Sequence, residues 1–393
     1  MRKSTSHVAT IGRTTATTAD SATVRIDTVL LKVASRCNLN CSYCYVYNMG
    51  DESWRIMPKR MELDTQTLVA RQLGRLFTAQ AEPFAVVLHG GEPLMLGPLR
   101  LQTLLTDLRE TVPAACTISI QTNGVLITPR ILDLCAAFEV SLSVSLDGPA
   151  GVHDRHRVDL RGRASHAAVI AGLSRLQRHP KANALFSGIL AVVDPTSDPV
   201  GVYGYFRALG VPSIDFLNRD GNHGVLPYGK ASADTTEYGR WMSAILDCYL
   251  ADLNPPRVRL LDDMIKLILG GAGVKEGVGL TDFGIIVVDT DGSFTKTDTL
   301  KSTPLGDRFD GQWNVRCDEL AEVVCSPEFI AYHAHQKPTS SICQACSELA
   351  VCGGGMLTHR FNTSNGYDNP SVFCADQKLL IARMRRYLSA YLC

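Results

Sequence analysis

Six apolar, strand-like runs alternate with amphipathic helical stretches in the first 217 residues of this 393-residue chain. The predicted strands are residues 28–34, 85–88, 116–121, 140–146, 184–193 and 213–217, and the helices between them are residues 64–77, 98–110, 128–138, 164–178 and 198–209. The runs are rich in Val, Ile and Leu and nearly continuous in apolarity, which is typical of strands buried on both faces of a parallel sheet. The alternation predicts an α/β fold, a partial (β/α)6 TIM-type barrel, with its chemistry at the C-terminal ends of the strands.

The rest of the chain divides by composition into three further segments. Residues 1–22 are rich in Ser, Thr and Ala and are predicted to be a disordered tail, so that the barrel spans residues 23–230. A helical linker is expected over residues 231–282, with helices at 236–253 and 257–269. Residues 283–393 are predicted to form a cysteine-rich C-terminal domain, which begins with a hairpin at 284–297 and closes with a helix at 377–391.

Charge, hydropathy and cysteine use narrow the class of protein. The 39 basic and 39 acidic residues balance, so neither nucleic acid nor an anionic membrane is indicated as the main partner. The sequence has no apolar run of the roughly 18 residues that a membrane-spanning helix needs, and no export signal is recognised. The 13 cysteines fall mainly in two tight groups with ligand-like spacing, which favours a reducing cytoplasm over a disulfide-rich secreted protein.

The first cysteine group follows the first predicted strand. Cys37, Cys41 and Cys44 are spaced CxxxCxxC. Three thiolates can bind three irons of a 4Fe–4S cube and leave the fourth iron free for a ligand with an amine and a carboxylate. The alternative is a zinc site, although zinc usually takes four ligands, commonly from paired CxxC units.

A glycine pair followed by a carboxylate ends the second predicted strand. Gly90 and Gly91 allow the backbone to approach a ligand closely, and the carboxylate of Glu92 can accept hydrogen bonds from an ammonium group. A tight strand-to-helix turn with an incidental glutamate is the alternative.

These segments resemble the radical S-adenosylmethionine (SAM) superfamily. The resemblance implies a SAM-binding 4Fe–4S cluster on the three cysteines, and SAM itself as a cofactor. It also implies that Tyr43 lies near the adenine, that the segment from Gly90 to Glu92 binds the amino group, and that Ser145 and Asp147 serve the carboxylate and ribose. The remaining expected SAM contacts are Asn123 at the third strand end, Arg163 pairing with the SAM carboxylate, and Leu190 packing on the adenine.

The second cysteine group consists of Cys343, Cys346, Cys352 and Cys374. Four thiolates can ligate a closed iron–sulfur cluster or a zinc ion, and the spacing alone does not decide between them. The stretch resembles the SPASM extension of radical SAM peptide maturases, which implies one auxiliary 4Fe–4S cluster here. Met356 and Thr297 stand where an inner auxiliary cluster would draw cysteines, so that cluster is expected to be absent.

Further motifs lie at residues 33–47, 53–55, 87–92, 289–301 and 369–374. They are similar to the FxsB-like, cyclophane-forming maturases of ribosomal peptides. This resemblance implies a precursor peptide as substrate, an external one-electron donor of the flavodoxin or ferredoxin type, and a 5′-deoxyadenosyl radical that abstracts a β-hydrogen before an aromatic ring is joined. A carboxylate is expected to accept the ring proton, and among Asp289, Asp291 and Asp298 the preferred candidate is Asp289. Three alternatives stay open: thioether or epimerised products, formylglycine formation as in sulfatase-maturing enzymes, and a non-catalytic metal-binding peptide scaffold.

Overall fold

One continuous nine-stranded sheet organises the protein. The computed structural model describes residues 24–304 and 306–392. The strands are β1 (Thr28–Ala34), β2 (Ala85–Gly90), β3 (Ile118–Thr122), β4 (Val140–Ser145), β5 (Phe186–Val192), β6 (Ser213–Leu217), β7 (Arg257–Val258), β8 (Ile285–Val288) and β9 (Phe294–Thr295). Their spatial order is β7-β6-β5-β4-β3-β2-β1-β8-β9. Every neighbouring pair is parallel except β8–β9, which forms an antiparallel hairpin.

Helices follow the strands and cover the sheet. They are α1 (Leu63–Gln80), α2 (Pro98–Thr111), α3 (Pro129–Ala137), α4 (Ala150–His153), α5 (His166–Arg178), α6 (Ala182–Leu185), α7 (Pro199–Ala208), α8 (Glu237–Ala251), α9 (Arg259–Ile268), α10 (Leu320–Val323), α11 (Pro327–Ala334), α12 (Ser341–Gln344), α13 (Leu349–Cys352) and α14 (Cys374–Leu392). Four 3₁₀ helices lie at Ser53–Arg55, Pro93–Leu96, Asp298–Ser302 and Leu357–Arg360. None of the described helices has both the length and the apolar character needed to span a membrane.

The predicted α/β architecture is confirmed. All six predicted barrel strands are present, and β1 and β6 have the predicted bounds. β5 begins two residues later than expected because residues 182–185 form the one-turn helix α6. The sequence pattern missed the two-residue strand β7 and the short helices of the cysteine-rich region, since such elements are too short to show a period. The predicted tail, residues 1–22, lies outside the described residues.

Strand β8 connects the C-terminal region to the barrel. It pairs in parallel with β1, so that Leu31 of β1 lies between Leu88 of β2 and Val288 of β8. All four residues of β8 are buried, as expected for a strand covered on both faces. The cysteine-rich region therefore begins with a strand of the barrel sheet. Because β8 runs parallel to β1, it ends at the same edge of the sheet from which the cysteine loop emerges.

Candidate functional site

The loop after β1 carries three free thiols into a cavity of about 350 Å³. Cys37, Cys41 and Cys44 all line this cavity. Turns within the loop fix their positions, because the amide of Cys44 donates to the carbonyl of Cys41 at 3.0 Å and the amide of Leu39 donates to Cys37 Sγ at 3.4 Å. Burial raises the pKa of Cys37 to about 12 and that of Cys44 to about 11.

The two glycines after β2 bring the next segment against this loop. Gly90 has a φ of 135°, and a Cβ there would collide with the carbonyl oxygen of Ala34. A Cβ on Gly91 would collide with the hydroxyl of Tyr47 and the carbonyl oxygen of Arg36. The amide of Gly91 donates to Ala34 O at 2.8 Å, so only glycine permits this approach.

Glu92 holds the ends of two strands together. Its carboxylate accepts hydrogen bonds from the Thr122 hydroxyl and the Asn123 amide, both at 2.7 Å, and from the Leu94 amide at 3.0 Å. Burial raises the pKa of Glu92 to about 7, although these hydrogen bonds act in the opposite direction. The side-chain amide of Asn123 donates to Asn38 in the cysteine loop at 2.7 Å, which ties the end of β3 to that loop.

Tyr43, Asp147 and Arg157 form a buried polar group beside the thiols. Asp147 Oδ2 accepts hydrogen bonds from the Tyr43 hydroxyl and from Arg157 Nε, the latter at 3.0 Å, and Oδ1 accepts one from the Val192 amide at 3.0 Å. Burial alone would lower the pKa of the Arg157 guanidinium. The negative charges around it, that of Asp147 first, have the larger combined effect and hold this pKa well above its usual value. Tyr43 and Arg157 line the cavity, whereas Asp147 lies behind them and orients both.

The structure brings most of the predicted SAM contacts to the same cavity. Those that line it are Tyr43, Gly90, Gly91, Glu92, Asn123, Ser145 and Leu190. Other lining residues that were not predicted SAM contacts include Gln121, Arg157 and Arg219. Gln121 donates to the Ser145 hydroxyl at 2.9 Å, and the Arg219 guanidinium lies against the rings of Tyr43 and Tyr228. Gln121 ends one predicted strand, and Arg157 and Arg219 follow two others, which was the available signal.

Arg163 and Asp289 do not line this cavity. The side chain of Arg163 is 70% exposed and pairs with Asp159, four residues earlier. Asp289 is buried beneath the site, where its Oδ2 lies 3.0 Å from Lys32 Nζ. Arg157 and Arg219 are buried and line the cavity, whereas the predicted SAM contact Arg163 does not line it.

Asp289 belongs to a buried charged group at the junction of β1 with the C-terminal region. Lys32 Nζ contacts Asp289 Oδ2 at 3.0 Å and Asp298 Oδ1 at 3.4 Å. Burial alone would raise the pKa of Asp289, but the charges of Lys32 and Lys301 outweigh it and hold that pKa below its usual value. The second oxygen of Asp298 is buried without a hydrogen-bond partner among the described residues. Of the two carboxylates, Asp298 is thus the one with an unused acceptor.

The four cysteines of the second group lie near one another around α12, α13 and the start of α14. Cys352 lines the cavity, whereas Cys343, Cys346 and Cys374 lie behind it. Burial raises the pKa of Cys343, Cys352 and Cys374, and neighbouring thiolates of the group raise each of these pKa values further. Met356 lines the cavity and the Thr297 amide donates to the Tyr332 hydroxyl, so neither position offers an extra thiol.

The donor sets fit iron–sulfur clusters. Three free thiols face a cavity with room for a ligand, and four more are gathered near one another, with Cys352 in the cavity wall and the other three outside it. Among the described residues, no three His, Cys, Asp or Glu side chains converge as ligands of a single metal ion do. A cube does not need such convergence, because each thiolate binds its own iron.

The chain is similar to one protein family and to individual known proteins. The profile of the Radical SAM superfamily matches residues 31–195. The cysteine-type anaerobic sulfatase-maturating enzyme of Clostridium perfringens (strain 13 / Type A) is 25% identical over 366 residues, which cover 89% of this chain and 94% of that protein.

Two solved structures share the fold. Native anSMEcpe with bound AdoMet superposes with a TM-score of 0.79 at 20% identity, over 93% of this chain and 99% of that one. SuiB of Streptococcus suis, bound to its precursor peptide SuiA, gives a TM-score of 0.62 at 14% identity, over 90% of this chain and 77% of that one. Both likenesses concern the architecture alone.

Proposed function

We propose that this protein is a radical SAM enzyme, as the match of that family's profile to residues 31–195 supports, and that it oxidatively crosslinks side chains of a ribosomally made precursor peptide. The observation that carries the proposal is a single cavity lined both by the three-thiol loop and by Cys352 of the second cysteine group. Radical SAM enzymes use a 4Fe–4S cluster and SAM, which when bound supply an electron and a 5′-deoxyadenosyl radical able to abstract a hydrogen atom.

The residues of the cavity wall have distinct tasks in this proposal. Cys37, Cys41 and Cys44 hold the SAM-binding cluster, and the four cysteines of the second group hold one auxiliary cluster. The segment from Gly90 to Glu92 binds the amino group of SAM, because its carboxylate and close-packed backbone face the cavity. Ser145 and Arg157 bind the carboxylate, and Tyr43 and Leu190 enclose the adenine. Asp147 holds Tyr43 and Arg157 in place.

Replacing Arg157 with methionine is expected to weaken SAM binding by about 10- to 100-fold, the loss that corresponds to one charge-assisted hydrogen bond. Equilibrium dialysis of radiolabelled SAM with the anaerobic, cluster-loaded protein measures the change. Arg163→Met is the matched control and should bind SAM as the unchanged protein does, because its side chain is exposed and paired with Asp159. Weakened SAM binding by Arg163→Met together with unchanged binding by Arg157→Met would mean that Arg163 binds the SAM carboxylate.

Asp298 is the candidate acceptor of the proton that an aromatic ring loses when it is joined. Asp298, like Asp289, does not itself line the cavity, but its Oδ2 has no hydrogen-bond partner among the described residues and the neighbouring Thr299 lines the cavity. We expect Asp298→Asn to lower the rate of crosslinking by about 100-fold or more while SAM cleavage continues, since general bases contribute on this order. Single-turnover assays that follow 5′-deoxyadenosine and product separately test this.

Asp291→Asn is the matched control, because Asp291 bonds to Ser293 within the hairpin turn. A variant Asp298→Asn that crosslinks at the original rate would exclude this carboxylate as the base, and a loss confined to Asp289→Asn would favour Asp289.

A second candidate function is formylglycine formation, favoured by the similarity to a sulfatase-maturating enzyme over 89% of this chain. The absence of extra thiols at Thr297 and Met356 supports the crosslinking proposal instead, because the resemblance assigns an inner auxiliary cluster to sulfatase maturation. The two candidates differ in product: a crosslink joins two residues, whereas formylglycine carries a free aldehyde.

Incubating the reduced, cluster-loaded protein with SAM and a short peptide encoded beside its gene distinguishes them. The crosslinking proposal requires a loss of two hydrogens, missing fragment ions between the joined residues, and no reaction of the product with a hydrazine. A hydrazine-reactive product establishes the second candidate, and an unchanged peptide mass combined with inversion at an α-carbon would indicate epimerisation.

A further inference from the structure

The wall of the cavity that includes Asp220 is acidic. Asp220 follows β6, Glu276 lies between α9 and β8, and His359 lies in the 3₁₀ helix Leu357–Arg360, so three separate segments supply this wall. The family region ends at residue 195, so all three residues lie beyond it. We name the three side chains together the acidic wall.

The polar groups of the acidic wall are not satisfied by the protein. Neither carboxylate accepts a hydrogen bond from any described residue, and both are partly buried against the cavity. His359 is only 4% exposed, and its Nε2 has no hydrogen-bond partner among the described residues, although it lies 3.8 Å from Asp220 Oδ1. Buried or half-buried acceptors without donors are costly, so a ligand that donates hydrogen bonds would stabilise this wall.

The neighbouring cations only partly offset the charge of the acidic wall. Lys275 donates to both oxygens of Asp215, at 2.8 and 2.9 Å. The Arg219 guanidinium lies against the rings of Tyr43 and Tyr228, and its buried Nε and Nη2 have no hydrogen-bond partner among the described residues. When both carboxylates are ionised they outnumber this one guanidinium, so the acidic wall keeps an excess of negative charge, and its three groups do not converge as the ligands of a single metal ion do.

We propose that Asp220, Glu276 and His359 form a subsite that binds a protonated amine or a guanidinium carried by the peptide substrate. The proposal rests on the peptide substrate of the proposed function and assigns a specificity to it. An ammonium or guanidinium group would place its donors between the two carboxylates and the unpaired histidine nitrogen. The substrate segment would then be anchored on the acidic wall while a neighbouring residue faces the SAM side of the cavity.

The charge state of the acidic wall should change near neutral pH. Burial, together with the facing Glu276, raises the pKa of Asp220 to about 7, and burial also raises the pKa of Glu276. Burial and the adjacent Arg360 lower the pKa of His359 to about 4. The other charged or titratable groups coupled to the wall are Lys275 and Tyr332 through Glu276, Tyr45 through both carboxylates, and Arg360 through His359.

Asp220 is the group expected to titrate between pH 6 and 8, since burial raises the pKa of Tyr45 and Tyr332 above their usual value. Asp220 should be largely ionised at pH 8 and largely protonated at pH 6. Binding of a cation should therefore strengthen as the pH rises through 7, and binding at pH 7 should release protons.

Binding of small probes to the anaerobic, cluster-loaded protein with SAM present tests the proposal. Nα-acetyl-lysine amide and Nα-acetyl-norleucine amide differ by one ammonium group. We expect the lysine probe to bind about tenfold or more tightly at pH 8, and this preference to shrink at pH 6. Nα-acetyl-arginine amide tests the binding of a guanidinium side chain, and alanine amide tests the binding of a free peptide N-terminus. Both are compared with the lysine probe. Calorimetry in buffers of different ionisation enthalpy measures the released protons.

The variants Asp220→Asn and Glu276→Gln should lose the preference for cationic probes while keeping their iron content. Glu82→Gln, an exposed position before β2, is the matched control and should retain the preference. Equal affinity for the lysine and norleucine probes, no saturable binding of any cationic probe, or a preference that survives both substitutions would overturn the subsite. If the preference holds but no peptide is ever modified, the subsite stands and the proposed function fails.

Discussion

A variant in which Cys37, Cys41 and Cys44 are all alanine is expected to lose reductive cleavage of SAM down to the background rate and to lose about half of its iron. The iron estimate follows from two four-iron clusters, of which this loop would hold one. All three thiols face the cavity, and they are separated from the second cysteine group by the cavity itself. Anaerobic iron and sulfide analysis, together with chromatography of 5′-deoxyadenosine after reduction, measures both quantities.

Two further variants distinguish the loss of one cluster from general damage. Cys343→Ala combined with Cys346→Ala should remove the other half of the iron and leave SAM cleavage in place. Cys317→Ala should change neither quantity, because this thiol is exposed on the surface. Full iron content in the triple variant would show that these thiols hold no cluster, and zinc in place of iron would support the metal-binding scaffold.

Replacing Lys32 with methionine is expected to lower the free energy of unfolding by about 3–5 kcal/mol, the cost of leaving buried charges without a partner. Lys32 Nζ contacts Asp289 Oδ2 at 3.0 Å and Asp298 Oδ1 at 3.4 Å, and all three side chains are at most 4% exposed. The ammonium stays charged because both carboxylates raise its pKa more than burial lowers it. Urea titration under anaerobic conditions, followed by circular dichroism, measures the difference.

Lys59→Met is the matched control, since this side chain is exposed and a surface substitution changes stability by about 0.5 kcal/mol or less. Adding Asp289→Asn to Lys32→Met should recover part of the loss, because it removes one of the two unpaired charges. A Lys32→Met protein as stable as the unchanged one would mean that the buried carboxylates take up protons and need no cation.

The parts of the fold that depend on local pattern were predictable from the sequence. Apolar runs located the six barrel strands, and cysteine spacing located both thiol groups. The register between strands follows from the pattern only loosely, and contacts between distant segments do not follow from it at all. Lys32 and Asp289 are 257 positions apart, so nothing near Asp289 in the sequence shows that a lysine pairs with it.

The sequence could not distinguish the environments of two arginines for a similar reason. Arg157 and Arg163 both lie in one basic stretch after β4, and their residue type is the same. The difference arises because Arg157 turns back onto Asp147, whereas Arg163 pairs with Asp159 in solvent. Asp220, Glu276 and His359 were not predicted as site residues either, because their proximity depends on how the C-terminal region closes over the barrel.

The pairing of β8 with β1 has a consequence for how this chain matures during its synthesis. About 250 residues separate the two strands, and a ribosome adding roughly 5 to 20 residues per second takes roughly 10 to 50 seconds to make them. Throughout this time one edge of β1 has hydrogen-bonding groups without their final partner, beside a loop of unoccupied thiols. The nascent barrel is thus exposed to wrong pairing and to oxidation until its last quarter emerges, so a chaperone that shields this edge would protect both the fold and the cysteine loop.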